Sequence, residues 1–215
     1  QEALEAMYAS AGDPLLTSAQ NTIQTIDLLE SIDFEGYRPK GKAKYPGTEF
    51  GYAMKSAAAL IRADVGVEAI AVDLSGWDTH NNQGPTTGWM STLMSDLSEG
   101  MAAFHADLFK ANRSDFVVVA MSEFGRNAIE NGSDGTDHGH GGVMLAMGGS
   151  INGGRVLTDW PGLADEQLYE RQDLAITIDY RDIISEILTK RVANPDVSAV
   201  FPEAGFDPQD YGIVA

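Results

Sequence analysis

Residues 135–142 read GTDHGHGG and hold two of the chain's four histidines, one aspartate and four glycines. A second such pair, Asp78 and His80, lies in VDLSGWDTH, two residues apart. His138 and His140 share that spacing. Two ligands two apart on a loop can turn toward one point, and imidazole with carboxylate suits zinc, manganese or iron. The chain has no cysteine, so thiolate sites and disulfides are excluded and any metal falls to histidine, carboxylate and water. The glycines at 135, 139, 141 and 142 remove side-chain bulk and permit unusual backbone angles. A hydrogen-bonded polar corner is the alternative reading of both segments.

Between the pairs lies SEFGR, which supplies Ser122, Glu123 and Arg126. Glu123 and Asp137 are further candidate ligands, or groups that orient ligands. A guanidinium at Arg126 can hold a phosphate or sulfate in bidentate fashion, or pair with a carboxylate. Asn81, Asn82 and Gln83 suit either substrate hydroxyls or a turn.

The elements that must position these groups follow from periodicity. VEAIAVDL (67–74), DFVVVAM (115–121), GVMLAMGG (142–149) and DLAITID (173–179) are β-rich runs and are expected as strands. Thr48 is placed to cap a helix over EFGYAMKSAAALIRAD. Met90, Leu93, Met94, Leu97, Met101, Phe104 and Leu108 recur in steps of three and four, as on an amphipathic helix with methionine as core filler. Tyr180, Ile183, Ile184, Ile187, Leu188 and Val192 form a second such stripe. Asp179 and Arg181 are expected to pair at its start. Strands alternating with helices predict an α/β fold with a largely parallel sheet flanked by helices. Ligands would then gather beyond the carboxyl ends of its strands. One domain over 1–215 is the simplest organisation, with 1–47 a helical and loop lead-in and 48–203 carrying the motifs.

Charge narrows the partners. Thirty-two acidic residues against 14 basic ones leave a net charge of −18. A surface of that sign excludes phosphate-backbone binding and disfavours an anionic membrane. No apolar run is long enough to span a bilayer. The chain begins at Gln1 without an initiator methionine, and no signal peptide is visible.

In order, VDLSGWDTHNNQ, VVVAMSEFGRNAIENGSDGTDHGHGGVMLAMGG, INGGRV, DWPGL and ITIDYRDIISEIL resemble the bacterial domain-of-unknown-function 1501 family, over about residues 45–203. That family belongs to the alkaline phosphatase-like and sulfatase superfamily. The resemblance implies an alkaline phosphatase-like sheet, a divalent metal centre, and hydrolysis of phosphate or sulfate esters, including glycan esters. It also implies export to the periplasm or beyond the cell. Residue by residue, Asp78 and His80 resemble the pair that binds one metal, and His138 or His140 the later histidine completing that site. In SEFG, Glu123 takes the place of an aspartate and Phe124 that of a second-site histidine, which a phenylalanine cannot replace as ligand. An alternative register sets Asp137 and His138 against that Asp-His pair.

The superfamily's early metal-binding aspartate and its nucleophile have no counterpart before residue 67. The chain therefore resembles the carboxyl-terminal portion of a member. Ser122 and Thr136 are nearby hydroxyls, but neither matches the nucleophile's place. Two functions follow: a metal-dependent ester hydrolase, or a non-catalytic secreted binding or assembly module that self-associates.

Overall fold

The computed structural model describes residues 6–8, 12–109, 115–194 and 196–215. Its helices are α1 (Leu15–Glu30), α2 (Glu49–Ala63), α3 (Trp89–Asp107), α4 (Tyr180–Lys190) and the short α5 (Val197–Val200). Its strands are β1 (Val117–Ala120), β2 (Gly125–Glu130), β3 (Thr136–Gly139) and β4 (Leu145–Gly148).

The sheet corrects the sequence expectation. β1 pairs antiparallel with β4, and β2 pairs antiparallel with β3, in two separate two-stranded sheets. The largely parallel, alkaline phosphatase-like sheet is therefore not the fold of this chain. The connection explains the difference. A parallel return needs a crossover of a dozen or more residues, usually helical. The segment between β1 and β4 holds no helix; it folds as the β2–β3 hairpin, and the chain comes back antiparallel. Segments 67–74 and 173–179 enter no strand, although Asp173 makes isolated bridges to Asn127 and Tyr169. Val72 and Leu74 still pack against the core. Their β-branched and apolar character thus secures burial without a ladder.

β1 separates two apolar clusters. On one side Phe50, Met54, Ala57 and Ala58 of α2 meet Phe104 and Leu108 at the end of α3, with Val118 and Met147 against them. On the other, Ile183 and Ile187 of α4 meet Ile213 and Val214, with Val117 and Val119 against them. Alternate residues of β1 face opposite clusters, as the two-residue period of a strand requires. Val118 and Met147 are register partners and share a face. Each fully buried side chain of this size contributes roughly 1.5–3 kcal/mol.

Local rules set the helices. Thr48 caps α2 by accepting from Gly51 N at 3.1 Å. Asp179 caps α4 by accepting from Arg181 N, and its carboxylate also takes the Arg181 guanidinium, with Nε to Oδ2 at 2.9 Å. α2 and α3 pack closely at Gly100, where a Cβ would stand 2.4 Å from the Phe50 ring. The buried face of α3 is Leu93, Gly100, Ala103, Phe104 and Asp107. It is rotated from the expected stripe, and Met94 lies exposed while Met90 and Met101 sit at the margin.

Asp107 is fully buried. Its carboxylate accepts from Tyr37 Oη (2.7 Å), Tyr45 Oη (3.0 Å) and Lys40 N (2.8 Å), and Arg62 Nε lies 3.5 Å away. A buried charge is tolerable only when partnered in this way. The network pins loop 35–47 onto the α2–α3 pair. Burial, and then the hydrogen bond to Asp107, push the Tyr37 phenol up to about 12. Burial and the charge of Asp107 raise Tyr45 further still. An unfolded tyrosine ionises near 10. The folded chain therefore holds these two protons more tightly than the unfolded one. Their contribution to stability is complete below about pH 10 and is lost as pH rises toward 12. In an alkaline titration followed in the tyrosinate absorption band, Tyr37 and Tyr45 are expected to ionise only as the chain unfolds. Normal titration of all seven tyrosines in a folded chain would contradict this network.

Candidate metal centre

The β2–β3 hairpin and the loop before α3 build one site. Arg126 and His138 are register partners near the open end of the hairpin. The register then shifts: Arg126 to Glu130 is four steps on β2, against two from His138 to Thr136 on β3. The extra residues of β2 bond elsewhere, with Ala128 N donating to Gln172 O at 2.8 Å. Such a bulge twists a strand and re-aims its side chains. Successive residues Asp137 and His138 both reach the 78–80 segment.

That segment is stitched to the hairpin along its length. Asn82 N donates to Ser133 O, Gln83 N to Asp134 O, and Thr136 N to Thr79 O. Gln83 Oε1 accepts from both Thr79 and Thr136 hydroxyls, at 2.8 and 2.9 Å. Arg126 adds a brace, donating to the carbonyls of Trp77 and Thr136 and, at 3.3 Å, to Asp78 Oδ1. Of the two roles open to Arg126 from sequence, the carboxylate pair is present, and three contacts leave part of its five N–H donors unspent.

Three donors converge there. His80 Nε2 lies 3.0 Å and His138 Nε2 2.7 Å from the same atom, Asp78 Oδ1. The three ligand atoms all lie within 4.8 Å of one another. Around a tetrahedral ion with bonds of 2.0–2.1 Å, ligand atoms stand about 3.3 Å apart. The two carboxylate–imidazole spacings fall a few tenths of an ångström short of that value, and the third is no more than 4.8 Å. Asp137 sits behind His80, with Oδ1 2.9 Å from Nδ1, and is itself held by Asn131 Nδ2 at 3.0 Å. An imidazole whose Nδ1–H donates to a carboxylate presents its Nε2 lone pair, as in metal-bound histidine. Behind His138, the Phe124 ring stacks at 4.2 Å and 12°, and the Arg126 guanidinium lies over the Phe124 ring at 5.0 Å.

Both carboxylates stay ionised. The hydrogen bond from His138, reinforced by the charges of His80 and Arg126, holds Asp78 below the usual carboxylate range. Bonds from Asn131 and then His80 do the same for Asp137.

The remaining candidates lie apart. His140 Nδ1 meets Asp173 Oδ2 at 2.6 Å, with the Tyr169 ring against it. Of the two histidines open from sequence, His138 joins Asp78 and His80. Glu123 is exposed, and among the described residues no hydrogen bond or ion pair reaches it. Ser122 Oγ donates to Phe124 O at 2.7 Å and Thr136 Oγ1 to Gln83, so both hydroxyls are committed. The groups that sequence reasoning missed are the supports: Asn131, Asp173, and the stacking role of Phe124. Only Asn131 carried a signal, in the turn composition of NGSDG; its Oδ1 accepts from Ser133 N and Gly135 N.

Gly135, Gly139 and Gly141 act through lack of bulk, since a Cβ at each would stand within 2.2–2.7 Å of another atom. Gly135, Gly139, Gly141 and Gly142 all keep negative φ. A Cβ at Gly135 would stand 2.2 Å from His80 O, a backbone atom. Gly135→Ala is therefore expected to push the 78–80 segment off the hairpin and destabilise the chain by about 1–3 kcal/mol, the scale of overpacking. Thermal unfolding checks this, and an unchanged midpoint would contradict the contact.

The chain matches the family described as "Protein of unknown function (DUF1501)" over residues 2–196. No curated protein and no solved structure matches it. With the match spanning Asp78, His80, Asp137 and His138 together, the chain belongs to the DUF1501 family.

Proposed function

We propose that this chain binds one divalent cation through Asp78, His80 and His138 and serves as a metal-dependent hydrolase of phosphate or sulfate esters. The observation that carries the metal is the meeting of two imidazole nitrogens at one carboxylate oxygen. His138 can meet that oxygen as an Nε2–H donor, but His80, whose Nδ1–H goes to Asp137, presents a lone pair 3.0 Å from it, a contact that repels unless His80 is protonated or a metal ion lies between. Three protein ligands leave coordination positions open, the pattern of a catalytic rather than a closed structural site. A divalent ion there would polarise an ester oxygen and activate water.

The chain's own residues have definable parts in this reading. Asp137 fixes the His80 ring, Phe124 supports His138, and Arg126 holds the two ligand-bearing segments together. The ester class rests on the motif resemblance alone, and the antiparallel sheets lend it no support. A second reading, a non-catalytic binding module, is favoured by the commitment of Ser122 and Thr136 to structural hydrogen bonds.

Metal content by plasma mass spectrometry, on protein purified without chelator or histidine tag, tests the reading. About one equivalent of zinc, manganese or iron is expected, lost in His80→Ala and His138→Ala and kept in His140→Ala. Asp137→Asn, which removes an orienting charge, is expected to weaken affinity about 10–100-fold. Loss of metal in His140→Ala alone would overturn the ligand assignment. Metal-loaded protein that turns over neither 4-nitrophenyl phosphate nor 4-nitrophenyl sulfate would favour the binding module.

A further inference from the structure

Beside the triad lies an open cleft of about 330 Å³ lined by Asp78, Thr79, Asn81, Asn82 and Trp89. Trp89 is the first residue of α3 and is 56% exposed, an uncommon state for the largest apolar side chain. Its ring is not loose. Nε1–H donates to Gly76 O at 3.0 Å, and a Cβ at Gly76 would come within 3.6 Å of that nitrogen. One edge of the indole is thereby anchored while its apolar surface faces solvent. Asn81 and Asn82 are exposed, and among the described residues neither carboxamide makes a hydrogen bond. Asn82 takes φ 48, which a short polar side chain tolerates, and its backbone N–H is fixed to Ser133 O. The backbone holding these amides is therefore ordered, while their hydrogen-bonding groups are unspent.

We propose that this cleft is a saccharide subsite that receives a pyranose ring next to Asp78. The proposal rests on the hydrolase reading only in what it adds: the substrate would be a sugar ester. A pyranose has an apolar C–H face and a rim of hydroxyls. An anchored aromatic face takes the first, and carboxamides, which both donate and accept, take the second. Pre-anchoring of Trp89 reduces the ordering that binding requires. Ring and metal triad share Asp78, so a group attached to the bound sugar would lie near the cation.

The test uses the full chain, ¹⁵N-labelled, titrated separately with methyl β-D-glucopyranoside, methyl β-D-galactopyranoside, methyl α-D-mannopyranoside and adenosine. The chain has three tryptophans, and Trp89→Phe assigns the Trp89 indole N–H signal. At least one saccharide is expected to move that signal while the Trp160 signal stays. Its affinity is expected to fall about tenfold in Trp89→Ala, the scale of one lost aromatic contact. Asn81→Ala, an exposed loop position, decides by the same criterion if Trp89→Ala does not fold. The same saccharide is expected to bind His80→Ala unchanged, which separates failure of the metal site from failure of the subsite. The subsite is overturned if no saccharide moves Trp89, if adenosine alone moves it, or if Trp89→Ala and Asn81→Ala both bind as well as the unaltered chain.

Discussion

Two imidazole nitrogens face one carboxylate oxygen, and the geometry around them depends on what lies between. His80 Nε2 and His138 Nε2 both point at Asp78 Oδ1. His80 cannot relieve the contact through a change of tautomer, because its Nδ1 already faces a second carboxylate at Asp137. A neutral imidazole has one proton for two acceptors. A protonated His80 would satisfy both carboxylates, and so would the cation proposed here, which would also draw on the His138 nitrogen.

The rest of the local fold serves to hold that convergence. The hairpin supplies His138 and Asp137, and the loop before α3 supplies Asp78 and His80. Neither element buries much apolar surface at the contact. Hydrogen bonds therefore do the joining: Gln83 between two threonines, Arg126 between two carbonyls, Asn131 between Asp137 and the His80 carbonyl. Gly135 permits the approach because any side chain there would strike backbone. The apolar clusters on either side of β1 anchor α2, α3, α4 and β4. The ligand-bearing segments lie outside them. Site and core are thus stabilised by different physics, and the site is the part more sensitive to single polar substitutions.

Sequence made the ligand pairs legible because residue types that bind metal are rare here and occur together. Helix α4 and the Thr48 cap were legible because they depend on neighbours in the chain. The sheet was not. Apolar β-rich runs such as 117–120 and 145–148 carry no mark of direction, and direction came from the intervening hairpin. That hairpin was hidden because GTDHGHGG reads by composition as a loop, while Thr136–Gly139 is a strand whose Gly139 serves close packing. The choice between His138 and His140 was equally closed to spacing. It was decided by Asp173, thirty-three residues away from His140, which holds that ring elsewhere.

The most direct measurement is X-ray absorption fine structure at the zinc edge of protein loaded with about one equivalent of zinc. A cation held by Asp78, His80 and His138 gives a nitrogen and oxygen shell at about 2.0–2.1 Å with outer-shell scattering from two imidazoles, lost in part when either His80 or His138 is replaced by alanine. An oxygen-only shell without imidazole scattering, unchanged by either substitution, would contradict it.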